Sequence, residues 1–353
     1  AYVNRGYVLN DLQNAEQATS DFQHALKLEP KNGEAHLGLA FAQLELHHGH
    51  AALQQAELAQ KYMGESGSVY VAKATAYRQQ GLLQQAEKAY RSALQYNRGD
   101  LQLTLALADT LFHMRRYDDS VKVLNAALAL DSDDPFIYAQ MAQAKAELKQ
   151  RADTFKYVQA AEREGADRSD VLLATGDALL TLGDRDAAMQ RFERALDAPD
   201  SDRVQARLHI AKLMQRDGNW DEAREQVALA FAESRIGEAS PVTAENMLAA
   251  GDIFLRMHDF DLAQKLFQRA RAAGAADQVV SIALANTYLA QGNTEQAENE
   301  LASLGNPSDY QENYDYMLAR ANMLRQQHQD VRAMTAFAHA NMVSGEDTVA
   351  ERQ

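Results

Sequence analysis

The chain repeats itself every 34 residues. Ala18, Phe22 and Ala25 stand four and three apart, and the same spacing returns at Ala52/Ala56/Ala59, Ala86/Tyr90/Ala93, Ser120/Leu124/Ala127, Thr154/Val158/Ala161 and Ala188/Phe192/Ala195. It continues at Ala223/Val227/Ala230, Ala263/Phe267/Ala270, Ala297/Leu301/Leu304 and Ala333/Phe337/Ala340, after gaps of 35, 40, 34 and 36. A period of this size means a stack of small units, each relying on its neighbours to bury its apolar face. A second small residue precedes each triplet by twelve positions: Gly6, Ala40, Ala74, Ala108, Ala142, Gly176, Ala211, Gly251, Ala285 and Ala321. Short breakers, among them Gly81, Gly183, Gly218 and Gly292, lie between the two patterns. Each unit therefore reads as two amphipathic helices of about fourteen residues joined by a tight turn. Small residues let the helix axes approach, and the bulky residue fills the space left between them. Five prolines and eighteen glycines are too few for a chain of many β-turns.

The stretches "RGYVLNDLQNAEQATSDFQHALKLEP", "ATGDALLTLGDRDAAMQRFERAL" and "AAGDIFLRMHDFDLAQKLFQRAR" carry this pattern most clearly. With the 34-residue period they resemble the tetratricopeptide repeat family. The tryptophan of that family's first helix is absent, and Tyr2, Tyr70, Tyr138 or Met247 stands in its place. The resemblance implies an all-α fold, a right-handed α-solenoid of antiparallel helix pairs, with about ten units in a single array over residues 1–353. It also implies seven or eight units per superhelical turn. Two stretches break the rhythm, near 233–242 and 304–314; each reads as a longer surface turn, or alternatively as a bend or partner-specific loop. The chain opens inside a helical pattern, so a piece of a longer protein is expected.

Candidates for chemistry are scarce. The formal charge of −15 argues against a nucleic-acid binder and against docking to an anionic membrane. No apolar run is long enough to cross a membrane. Zero cysteines removes thiol catalysis and thiolate metal sites while leaving the compartment open. Phosphate-binding glycine loops, nucleophile elbows and metalloprotease motifs are all missing. His47, His48 and His50 of "HHGH" are the one cluster with metal-ligand character, and they fall in a turn. "DSDDP", Asp131–Pro135, lacks the downstream residues of a calcium loop and reads as an acidic helix cap. The expectation is a protein with no catalytic site, cofactor or metal.

The residue after each small one is rotated by about 100° and forms a second stripe. In the resembling family that stripe of the first helix lines the concave, partner-binding surface. Here it is Tyr7, Phe41, Thr75, Asp109, Gln143, Asp177, Lys212, Asp252, Asn286 and Asn322. Four before these stand Val3, Leu37, Val71, Leu105, Ala139, Leu173, Leu208, Leu248, Ile282 and Leu318. The candidate groove residues are Tyr7, Phe41, Leu105, Asp109, Leu173, Asp177, Leu208, Leu248, Asp252, Asn286 and Asn322. Apolar anchors beside hydrogen-bonding groups suit an extended peptide or a helix of basic and apolar character. The competing reading is that the aliphatic row seals the core edge and the acids keep the surface soluble. Family members that grip a carboxylate terminus use Asn where this chain has Tyr7, so that ligand is not expected.

The function expected is a protein-interaction scaffold, in a setting such as the periplasmic region of a bacterial envelope or exopolysaccharide-export assembly. The alternative is the substrate-recruiting arm of an enzyme whose catalytic domain lies outside this chain. A carbohydrate-binding solenoid would need more groove aromatics than Tyr7, Phe41 and Phe112.

Overall fold

A computed structural model describes residues 1–12, 14–235, 242–305 and 313–344 of the chain. Twenty α-helices carry them, with no strand among the described residues. They pair into ten units: α1 (Tyr2–Asp11) with α2 (Ala15–Leu28), α3 (Gly33–Glu45) with α4 (Gly49–Met63), α5 (Gly67–Gln79) with α6 (Leu83–Tyr96), α7 (Leu101–His113) with α8 (Tyr117–Leu130), and α9 (Pro135–Glu147) with α10 (Arg151–Gly165). The second half continues with α11 (Ser169–Thr181) and α12 (Arg185–Asp197), α13 (Arg203–Arg216) and α14 (Trp220–Arg235), α15 (Ala244–Arg256) and α16 (Phe260–Ala272), α17 (Asp277–Ala290) and α18 (Thr294–Ser303), and α19 (Tyr314–Gln326) and α20 (Asp330–Ser344). Most of both rhythm breaks lies outside the described residues. At their described margins, Thr243 caps α15 and Asn313 caps α19.

Helix boundaries follow local chemistry. Asn32, Ser66, Asp100, Asp134, Asp202, Thr243 and Asn313 each accept a backbone N–H from the first turn of the first helix of a unit. Each such cap is worth about 1 kcal/mol. The turn inside units two to ten is one device used repeatedly. Its pivot is left-handed, at Gly81, Gly183, Gly218 and Gly292, and equally at His47, Arg115, Lys149, His258 and His328. The next residue's N–H reaches back five positions, as Asp184 does to Leu179 at 2.9 Å and Gln150 to Lys145 at 3.0 Å, the Schellman closure. Sequence marks the glycine turns only. At the other five pivots, the packing of the two helices overrides the side chain's objection to positive φ.

Within a unit, the crossing residue and the bulky residue sixteen positions later are matched in size. Gly6 faces Phe22, Gly176 faces Phe192 and Gly251 faces Phe267. Ala108 and Ala285 instead occupy units with Leu124 and Leu301, and Ala142 and Ala211 units with Val158 and Val227. A phenyl ring needs the room that one Cβ would fill, whereas a branched aliphatic leaves space for a methyl. Phe22 is held from both sides, because a Cβ on Gly38 of the next unit would also overlap its ring. Three units depart from the rule: Ala74 stands opposite the buried Tyr90, Ala40 opposite Ala56, and Ala321 opposite Phe337, whose ring is only half-buried in the last unit described.

The buried apolar residues fall into eight separate clusters strung along the chain. Polar rungs join adjacent units: Arg116 to Glu87 at 2.6 Å, Arg191 to Glu162 at 2.7 Å and Arg271 to Glu300 at 2.8 Å. Stability is therefore a sum of unit and neighbour terms.

Candidate partner-binding groove

All ten crossing residues from Gly6 to Ala321 are buried, and all ten residues that follow them are half-buried. The rotation of one helical step separates a core stripe from a reachable one in every unit. Tyr7, Phe41, Asp109, Asp177, Asp252, Asn286 and Asn322 thus share one face. The apolar row four residues earlier divides in two. Leu173 and Leu208 are 6% and 4% exposed and belong to the core, as do Leu37, Ala139 and Ile282. Leu105, Leu248, Val3, Val71 and Leu318 are half-buried and remain reachable from the face. The row both seals the core and offers anchors, at different units.

The polar members differ in what they already hold. Tyr7 stacks edge-on against Phe22, 5.2 Å between centroids, and its hydroxyl donates to the Glu34 carbonyl at 2.9 Å. Burial pushes its phenol above the usual range, helped by the Glu34 charge. Asp109 takes Arg78 of the preceding unit at 3.2 Å and His113 on its own helix at 3.3 Å. Burial works to raise the Asp109 carboxyl, but His113 and Arg78 outweigh it and hold the group below the ordinary range. His113 is raised in turn, mainly by its hydrogen bond to Asp109. Asp177 meets His209 of the next unit at 3.0 Å. There too burial is overcome, by His209, Lys212 and Arg216, and the carboxyl is lowered. Asp252 pairs with Arg256 at 2.8 Å. Each acid of the row thus already has a side-chain partner on the protein. Sequence reading missed this although a signal exists: Arg78 precedes Asp109 by 31 residues and His209 follows Asp177 by 32, each a little short of one 34-residue unit.

Asn286 and Asn322 stand apart. Each is half-exposed and makes no side-chain hydrogen bond among the described residues. Thr75, by contrast, lies 3.4 Å from the Tyr90 hydroxyl.

The two sequence motifs with metal character have local roles. His48 caps the turn region through Gln43 at 2.9 Å, and His47 is the left-handed pivot. Asp134 accepts Phe136 N–H at 2.9 Å as the cap of α9. Among the described residues no group of three His, Cys, Asp or Glu side chains is arranged to hold a metal, and no helix is long and apolar enough to cross a membrane.

Three sequence models described as "Tetratricopeptide repeat" match the chain, over residues 1–32, over 77–148 and 254–321, and over 202–274. Together they span more than half of it. The chain belongs to the tetratricopeptide repeat family. No curated protein sequence matches it. Among solved structures, a tetratricopeptide repeat protein from Parabacteroides merdae superposes with a TM-score of 0.53 at 14% identity, covering 81% of this chain and 97% of that one. Yeast Tom70 does so with a TM-score of 0.51 at 14% identity, covering 97% and 91%. The APC/C hetero-tetramer Cut9–Hcn1 gives 0.50 at 13% identity, covering 98% and 80%. At such identities the likeness is one of fold. Tetratricopeptide repeat arrays are interaction scaffolds that bind protein or peptide partners on extended concave surfaces.

Proposed function

We propose that this tetratricopeptide repeat protein is a non-catalytic scaffold whose ten units form one array, holding an extended or helical segment of a partner on the face of Tyr7–Asn322. The observation that carries this is the pair Asn286 and Asn322. They occupy the same position in consecutive units, and their amides are reachable and uncommitted. Each offers donors and an acceptor, the complement of a peptide main chain. Phe41, Leu105 and Leu248 supply apolar contacts along the same row. A net charge of −15 favours a basic and apolar segment, acting more on association rate and salt response than on affinity.

The test starts from peptides selected by display against the parent chain. Asn286→Ala with Asn322→Ala should weaken binding by about tenfold or more, from the loss of hydrogen bonds worth roughly 1 kcal/mol each. Replacing Asp109, Asp177 and Asp252 together by lysine should slow association of a basic peptide at low salt, with the difference shrinking at high salt. Binding unchanged in both variants, with a footprint on the second helices of the units, refutes the reading.

As its setting we put forward the periplasmic part of a bacterial envelope or exopolysaccharide-export assembly, supported by family resemblance and a cysteine-free chain. The rival, a recruiting arm of an enzyme, is separated by reading the gene beyond Ala1 and Gln353: a signal peptide and export domain, or a catalytic one.

A further inference from the structure

The ribbon of units returns onto itself. The turns of units two, three and four lie along one edge, with His47, Gly81 and Arg115 as their left-handed pivots at φ 57°, 74° and 60°. The starts of units nine and ten lie along the other edge, and the two edges meet. His47 Cβ stands 3.2 Å from where a Cβ on Gly274, just before unit nine, would lie. Gln278 at the start of α17 is only 3% exposed. With its nitrogen toward unit three, its amide donates to the carbonyls of Gln80 and Gly81 at 3.2 Å each, while its oxygen accepts from Asn313 Nδ2. The Arg115 guanidinium lies 4.2 Å from the centroid of the Tyr314 ring, and the Asp315 carboxyl beside it feels the charges of Arg115 and His113. From Gly81 with Gln278 to Arg115 with Tyr314 both edges advance by about one unit, and His47 with Gly274 extends the contact on the side of unit two. Unit three thus meets unit nine and unit four meets unit ten, while unit two meets the segment just before unit nine.

This seam is unlike the contacts within the ribbon. None of the eight apolar clusters includes residues from both edges. Among the described residues it is built from one buried amide, one cation over a ring, one close approach at glycine, and the charges of Asp315 and Glu245 near Arg115 and His113. Such polar, narrow contacts come apart at far lower cost than a packed helix interface. Closed, the seam ties the turns of units two, three and four to the starts of units nine and ten.

We propose that the seam is a reversible clasp, closed by Gln278 and by Arg115 on Tyr314, whose opening gives large molecules lateral access to the concave face. Its use by a partner rests on the groove reading above; the clasp itself does not, and its test needs no partner. The absence of cysteine makes the experiment clean. In the double variant Gly81→Cys/Gln278→Cys, the position of a Gly81 Cβ lies 3.5 Å from Gln278 Cβ, within the range of about 3.5–4.5 Å that a disulfide bridges. It should cross-link readily under mild oxidation. Because cysteine at a positive φ can perturb the turn, small-angle scattering on the cysteine-free variant Arg115→Ala/Gln278→Ala is the second measurement. Losing the cation–π contact and the amide bonds should shift the closed-to-open ratio by about tenfold or more. The radius of gyration should rise while the circular dichroism stays helical. In addition, Asn286→Cys, as the chain's sole thiol, should react faster with a maleimide carried on a folded protein in that variant than in the parent, and equally fast with a small maleimide. Failure of the folded double-cysteine variant to cross-link, or an unchanged radius and unchanged bulky-label rate in Arg115→Ala/Gln278→Ala, overturns the clasp.

Discussion

The matching of glycine to phenylalanine at the helix crossing makes a quantitative prediction at unit six. Gly176 and Phe192 are both buried, Phe192 fully so, and a Cβ on Gly176 would overlap Phe192 Cε1 and stand 2.8 Å from Cδ1. Gly176→Ala gains about 1 kcal/mol of helix propensity. It loses about 1–3 kcal/mol to overpacking, because a ring with no exposed edge cannot swing aside. The net expectation is a loss of up to about 2 kcal/mol. Phe192→Leu alone leaves a void beside a glycine and costs roughly 1–3 kcal/mol. The double variant recreates the pairing of Ala108 with Leu124, both 1% exposed, which the chain already uses in unit four. It should therefore be more stable than the sum of the single changes by about 1–3 kcal/mol. The assay is thermal and urea unfolding followed by far-ultraviolet circular dichroism on all four members of the cycle. Additivity within about 0.5 kcal/mol, or a stabilised Gly176→Ala, refutes the size-matching argument.

Ala195→Phe, at a fully buried crossing position, should cost about 1–3 kcal/mol in urea unfolding, while Gln190→Phe on the exposed face of α12 should stay within about 0.5 kcal/mol. Lys149→Gly should stabilise by up to about 1 kcal/mol in the same assay, since its left-handed pivot at φ 58° carries a strained side chain; destabilisation would show that the lysine makes a contact that outweighs the strain. Asp177 has a lowered folded-state pKa, so its contribution is present above the unfolded value of 3.8 and is lost as pH falls through the folded one. Asp177→Asn should then cost about 1 kcal/mol near neutrality and flatten the acid limb of a stability–pH curve below about pH 4; an unaltered acid limb would count against the His209 pairing.

How much of this was legible in the sequence follows from the range of the interactions. The helix pairs and the buried stripe are set by residues three, four and sixteen apart, so Gly6, Phe22, Ala25 and their counterparts announce them directly. The left-handed pivots were legible only where glycine stands. His47 and Lys149 adopt the same geometry because two packed helices dictate it, a tertiary effect that leaves no local mark. The groove was legible as a stripe but not as an electrostatic surface. Asp109 and Asp177 looked free because their partners, Arg78 and His209, sit in neighbouring units on helices that face them. The seam was not legible at all. Gly81 and Gln278 are joined only because small rotations between successive units accumulate to a full turn at the right pitch, and no residue encodes that sum. This also explains why the seam is polar and narrow. Its geometry depends on every intervening unit, so small errors in each would misplace a large interlocking surface. A few adaptable side chains at the tips of turns can still meet.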